Sequence, residues 1–102
     1  MKKARWIGKV LRRIADFASA RKVSFTLKAL QEMAGLSVDE EDACEVLAEL
    51  TAEDCLGRQR SKKTGEWMYA FKPEFQGVEL YVKVVLRESC VLISFHEDEA
   101  EN

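Results

Sequence analysis

Two rhythms of apolar residues divide this chain. As far as Leu50 the apolar positions recur every three or four residues, the spacing of one helix face, and from Cys55 onward they alternate as in strands. Trp6, Ile7, Val10, Leu11, Ile14, Phe17 and Ala18 predict an amphipathic helix over residues 4–20, with Arg5, Lys9, Arg12, Arg13 and Asp16 on its polar face. Val23-Ser24-Phe25 reads as a brief extended piece that positions the next helix. Thr26 is placed to cap a second helix whose inward residues are Leu27, Leu30, Met33 and Ala34, with Gly35-Leu36 as its stop. Ser37-Val38-Asp39-Glu40 has the form of a capping box opening a third helix that buries Ala43, Val46, Leu47 and Leu50. The acids at positions 39–42 then lie in its first turn, where the helix dipole favours negative charge.

The alternating half predicts four strands. Cys55 to Lys62 and Glu66 to Lys72 form a hairpin around Lys63-Thr64-Gly65, and Pro73 ends it. Arg58, Arg60 and Lys62 share one face of the first strand, while Trp67, Tyr69 and Phe71 share one face of the second and read as core. A second hairpin spans Val78 to His96, with Val78, Leu80, Val82, Val84, Leu86, Val91, Ile93 and Phe95 on its buried face. With Glu88-Ser89 as a two-residue loop, Arg87 faces Cys90, Val84 faces Ile93, Val82 faces Phe95, Lys83 faces Ser94 and Tyr81 faces His96. The open face would carry Tyr81, Lys83, Arg87, Ser94 and His96, together with Val85 and Leu92. Helices first and strands second give an α+β fold: three N-terminal helices packed on one face of a mainly antiparallel sheet.

A chain of 102 residues, 47% of them hydrophobic, is expected to form a single domain over 1–102, with the acidic stretch 97–102 as a disordered tail. The net charge of −2 conceals segregation: residues 1–28 hold nine Lys or Arg and one acid, whereas residues 32–54 hold nine acids and no base. Basic surface is therefore available locally. Cys44, Cys55 and Cys90 match neither a zinc spacing nor a redox pair and read as reduced packing residues of a cytoplasmic protein. Charges interrupt the N-terminal apolar run, so neither a signal sequence nor a membrane span is expected. There is no glycine-rich phosphate loop, metal motif or nucleophile elbow.

Trp67 with Phe71-Lys72-Pro73, then Gly77, Leu80-Tyr81-Val82-Lys83-Val84 and Val91-Leu92-Ile93-Ser94-Phe95, resembles the C-terminal half of the MqsR-type toxins, mRNA interferases of the RelE-like superfamily. Leu50-Thr51-Ala52-Glu53-Asp54 resembles that family's junction between last helix and sheet. The resemblance implies a RelE-like fold, endoribonuclease activity on mRNA, and neutralisation by a cognate antitoxin. It implies active-site roles for Tyr81 and Lys83. Departures stand beside it: the family's first-strand lysine falls on Gly57, its glutamine after the tryptophan on Met68, and its lysine after Ser-Phe on His96.

Metal-free RNA cleavage needs a base for the ribose 2′-hydroxyl, cations for the charge growing on phosphate, and an acid for the leaving 5′-oxygen. His96 is the natural proton carrier, with Tyr81 and Lys83 completing the expected catalytic set. Arg58, Arg60, Lys62, Arg87 and Ser94 are expected to bind substrate, and no metal or cofactor is required. The competing reading is a non-catalytic interaction module on the same fold, antitoxin-like or an adaptor, binding a partner through a sheet edge or the basic first helix.

Overall fold

The computed structural model describes residues 4–98. Helix α1 (Arg5–Ser19) leads through strand β1 (Val23–Phe25) to α2 (Leu27–Gly35) and α3 (Glu40–Ala48). A single 3₁₀ turn, Ala52–Asp54, precedes β2 (Cys55–Arg60), β3 (Trp67–Phe71), β4 (Glu74–Phe75), β5 (Val78–Leu86) and β6 (Cys90–Glu97). The sheet order is β1-β6-β5-β3-β2, with the short β4 also paired to β5. Only the β1–β6 pairing is parallel among the described strands, so the sheet is mixed but mainly antiparallel, and the fold is the expected α+β arrangement.

The core lies between one sheet face and the helices. Ile14 and Ala18 of α1, Met33 of α2 and Leu47 of α3 meet Phe71, Leu80, Val82, Val84, Leu92 and Phe95 from the sheet. The three cysteines are free, with Cys44 and Cys90 buried, and burial pushes the Cys90 thiol up to about 12.

Several local expectations are corrected. The capping box of α3 is Asp39 with Asp42, not Ser37 with Glu40: the Asp39 carboxylate accepts the Asp42 amide at 2.8 Å and the Asp42 carboxylate accepts the Asp39 amide at 3.3 Å. Ser37 is occupied by the end of α2. At φ 58° it takes the left-handed position, donating its N–H to Ala34 while Val38 donates to Met33, a Schellman stop in which Gly35 is merely the last helical residue. The loop between β2 and β3 is longer than three residues, because the Ser61 hydroxyl accepts the amides of Lys63 and Thr64 and ends the pairing at Arg60. Gly65 does take positive φ, at 78°. Five strands follow Asp54 rather than four, since Gln76 and Gly77, at φ 53° and 83°, make a two-residue turn that pairs Phe75 with Val78.

Two β-bulges change which side chains share a face. In β2 the ladder passes from Cys55 opposite Phe71 to Gly57 opposite Ala70, leaving Leu56 as the extra residue. In β6 it passes from Ser94 opposite Lys83 to Leu92 opposite Val84, leaving Ile93 extra. The hairpin loop is therefore Arg87-Glu88-Ser89, with Leu86 rather than Arg87 opposite Cys90. Cys90 and Leu92 turn into the core in place of Val91 and Ile93, and only Val85 of the predicted apolar pair remains on the other face. Glu97 and Asp98, expected in a disordered tail, are held by the sheet: Glu97 pairs with Leu80, and Asp98 donates its amide to Glu79 and lies 3.3 Å from the Lys72 ammonium. Residues 99–102 of that predicted tail lie outside the described residues.

Candidate active site on the open sheet face

Beyond the β6 bulge the predicted register holds where the chemistry is. Tyr81 stands opposite His96 and Lys83 opposite Ser94, so all four share the face turned away from the core. The two rings stack with centroids 5.3 Å apart and planes inclined by 22°, and the Lys83 ammonium lies 5.9 Å from the Tyr81 ring centre. Cross-strand neighbours have Cβ atoms about 4.5–5.5 Å apart, near enough for these side chains to converge on one phosphate.

The Nδ1 atom of His96 lies 2.9 Å from the carbonyl oxygen of Glu97. A carbonyl only accepts, so that contact is a hydrogen bond when Nδ1 carries the proton, and the neutral ring then presents Nε2 as a free acceptor. The ring is half-buried.

A depression of about 240 Å³ adjoins Tyr81 and Lys83. Its floor has two small residues, Gly57 on β2 paired with Ala70 on β3, and Ala70 in turn pairs with Lys83 on β5. Leu56, Gln59 and Met68 complete its walls, Leu56 being a rare large apolar side chain left more than half exposed.

The expected substrate-binding residues divide. Ser94 is in the site, its hydroxyl accepting from the Lys28 ammonium at 3.0 Å. Arg58 lines the same depression as Tyr81, but its guanidinium and that of Arg60 lie against tryptophan rings. The Leu56 bulge sets the two arginines opposite Tyr69 and Trp67, on the helix side of the sheet. The Arg58 guanidinium lies 4.0 Å from the Trp67 ring centre and 4.6 Å from that of Trp6, while Arg60 lies 4.3 Å from Trp67 and donates to the Gly65 carbonyl. Arg58 borders the depression, but its charge is directed to the other face. Lys62 is exposed in the β2–β3 loop, and Arg87 is held at the far end of the hairpin by a two-pronged pair with Glu66 at 2.7 and 2.8 Å. That pairing raises the Arg87 pKa and lowers that of Glu66.

Sequence reasoning missed three residues of this region. Gln59 reaches the depression because the bulge exchanges it with Arg58, and nothing in an alternating pattern marks a bulge. Lys28 and Glu32, one turn apart on α2, reach the site from outside the sheet. Glu32 accepts the Phe95 amide at 2.9 Å and holds Lys28 at 2.9 Å. Burial alone would raise the Glu32 carboxyl, but the Phe95 amide and the Lys28 ammonium outweigh it and hold the group below its ordinary value.

Among the described residues no cluster of three or more His, Cys, Asp or Glu side chains is placed to hold a metal ion, and no helix is long and apolar enough to cross a membrane. A search of curated protein sequences found no match. The family model described as "Motility quorum-sensing regulator, toxin of MqsA" matches residues 9–97, from the second turn of α1 to the end of β6, and takes in the whole open face. The chain therefore belongs to the MqsR toxin family, the enzymatic toxins of toxin–antitoxin systems.

Proposed function

We propose that this toxin is a metal-independent endoribonuclease that cleaves mRNA in the cytoplasm and is neutralised by a cognate antitoxin, with Tyr81, Lys83 and His96 as its catalytic residues. The observation that carries the reading is the stack of Tyr81 on His96 beside the Lys83 ammonium, on the one face the helices leave open. His96 Nε2 takes the proton of the ribose 2′-hydroxyl. The resulting alkoxide attacks the adjacent phosphorus, Lys83 offsets the negative charge that grows on the phosphoryl oxygens, and the bond to the 5′-oxygen breaks. The Tyr81 hydroxyl donates to the phosphate and holds it in line. The products are a 2′,3′-cyclic phosphate and a 5′-hydroxyl, the latter receiving a proton from the imidazolium or from water. The depression over Gly57 and Ala70 is the place for a neighbouring nucleotide, with Leu56 and Met68 as apolar contacts for a base.

Cleavage of a short RNA by the purified protein, compared with His96→Ala and Tyr81→Phe of verified fold, tests the assignment. Loss of a general acid or base is expected to cost on the order of 10²–10⁴ in rate. Both variants cleaving within about threefold of wild type, far short of that loss, would remove the pair from the mechanism.

A further inference from the structure

We infer that Lys28, delivered from α2 across the edge of β6, is a substrate-binding residue of the open face that holds a phosphate of single-stranded RNA beside Lys83. The proposal rests on the endoribonuclease reading for its ligand and on the docking of α2 for its geometry.

That docking is built from backbone hydrogen bonds. β1 covers the edge of β6 only from Cys90 to Leu92, because the chain then turns into α2 with Thr26 as its N-cap. From there α2 takes over. Thr26 donates its amide to Leu92 and its hydroxyl to the Ile93 carbonyl, at 3.2 and 3.4 Å, and its hydroxyl oxygen accepts the Ala29 amide at 3.1 Å. One turn on, Glu32 accepts the Phe95 amide. The first two turns of α2 thus replace a strand at the edge of β6, and Lys28 falls between the two anchors.

The position of its ammonium follows. Glu32 and Ser94 hold Lys28 at 2.9 and 3.0 Å, and Ser94 stands directly opposite Lys83 with His96 two residues beyond it on the same face. A lysine ammonium has three N–H donors, and the Glu32 and Ser94 contacts use two. The third is available to a phosphate oxygen, and the side chain is 58% exposed, so access is open. An ordinary helix-surface ion pair four residues apart would have no reason to cross the sheet edge and engage a serine that is itself 5% exposed. Ser94 thus has the Lys28 ammonium on its hydroxyl and Lys83 directly across the ladder, with the Glu32 carboxylate beside Lys28, and two cations to one carboxylate favour an anion there.

Binding of an all-2′-O-methyl RNA oligonucleotide, which lacks the proton that attack requires, isolates this role from catalysis. The affinity of wild type, Lys28→Gln and Lys28→Arg is measured across a series of salt concentrations, after melting curves verify that each is folded. Each phosphate contact contributes a salt slope of about 0.7 on single-stranded nucleic acid, and Lys28→Gln is expected to lower the slope by that amount while Lys28→Arg keeps it. Equal affinity and slope for wild type and Lys28→Gln overturns the proposal, and cleavage of unmodified RNA by the same wild-type protein would show that the endoribonuclease reading survives. Wild type that neither binds nor cleaves RNA overturns both.

Discussion

The guanidinium of Arg58 lies 4.6 Å from the centre of the Trp6 indole ring, and this contact fastens the edge strand β2 to the first helix. The same guanidinium lies 4.0 Å from the Trp67 ring centre, and Trp6 also packs on Tyr69 with centroids 5.6 Å apart. Cation–π contacts contribute about 0.5–1 kcal/mol each at exposed sites, so Arg58→Ala is expected to lower stability by roughly 1–2 kcal/mol, with RNA cleavage changed far less than in His96→Ala. Denaturant midpoints and cleavage rates on the same preparations check this. An Arg58→Ala protein of wild-type stability but lost activity would return Arg58 to the substrate.

Gly57 adopts φ 133°, a conformation other residues rarely take, although a Cβ there would meet no atom within 4 Å. The obstacle to substitution is therefore the backbone, not space. Strained backbone conformations cost on the order of 1–3 kcal/mol, and Gly57→Ala is expected to lose stability in that range. The bulge is also the device that sends Arg58 to one face and Gln59 to the other. Fluorescence of the tryptophans flanking Arg58 is expected to change in Gly57→Ala along with the melting temperature.

Glu32 makes stability depend on pH in a defined direction. Its carboxyl titrates below its ordinary value of 4.5 in the folded protein, so in that window the unfolded chain binds more protons and stability rises with pH. The contribution is complete above the unfolded value and is lost as pH falls through the folded one. Urea unfolding measured from pH 7 down to about 3 is expected to show a shallower acid loss in Glu32→Gln than in wild type, because the amide carries no titrating charge while its oxygen still accepts the Phe95 amide. Identical pH profiles would place the Phe95 and Lys28 contacts outside the stability of the fold.

The pairing of Tyr81 with His96 was legible in the sequence, but the turn that suggested it was not the turn that forms. A two-residue loop at Glu88-Ser89 predicts that pairing; the actual loop has one more residue, and the extra residue at Ile93 in β6 compensates for it. Strand alternation specifies a face only while the ladder is unbroken, which is why Lys83 and Ser94 were placed correctly and Leu92 was not. The same limit hid the exchange of Arg58 with Gln59 in β2. The first and third helices were legible from their apolar stripes, but on α2 only Met33 and the half-buried Leu30 point inward as expected: Leu27 is 71% exposed, Ala34 is exposed, and Ala29 is buried instead. Ser37 satisfies the pattern of an N-cap and was already committed to ending α2. Lys28 was invisible for a different reason: its role depends on where α2 lies against a strand more than sixty residues away.

The strand that carries His96 is not at the border of the sheet. β6 lies between β1 and β5, so among the described elements the last to leave the ribosome fills an interior slot. Until it arrives, β1 has no partner, the anchors of α2 at Ile93 and Phe95 do not exist, and Tyr81 has no ring to stack on. Closing contacts across such separations is slow relative to local helix formation. A nascent chain therefore lacks the Tyr81–His96 stack of the proposed site for as long as its helices and first hairpin are all that has emerged, and gains it in one late step.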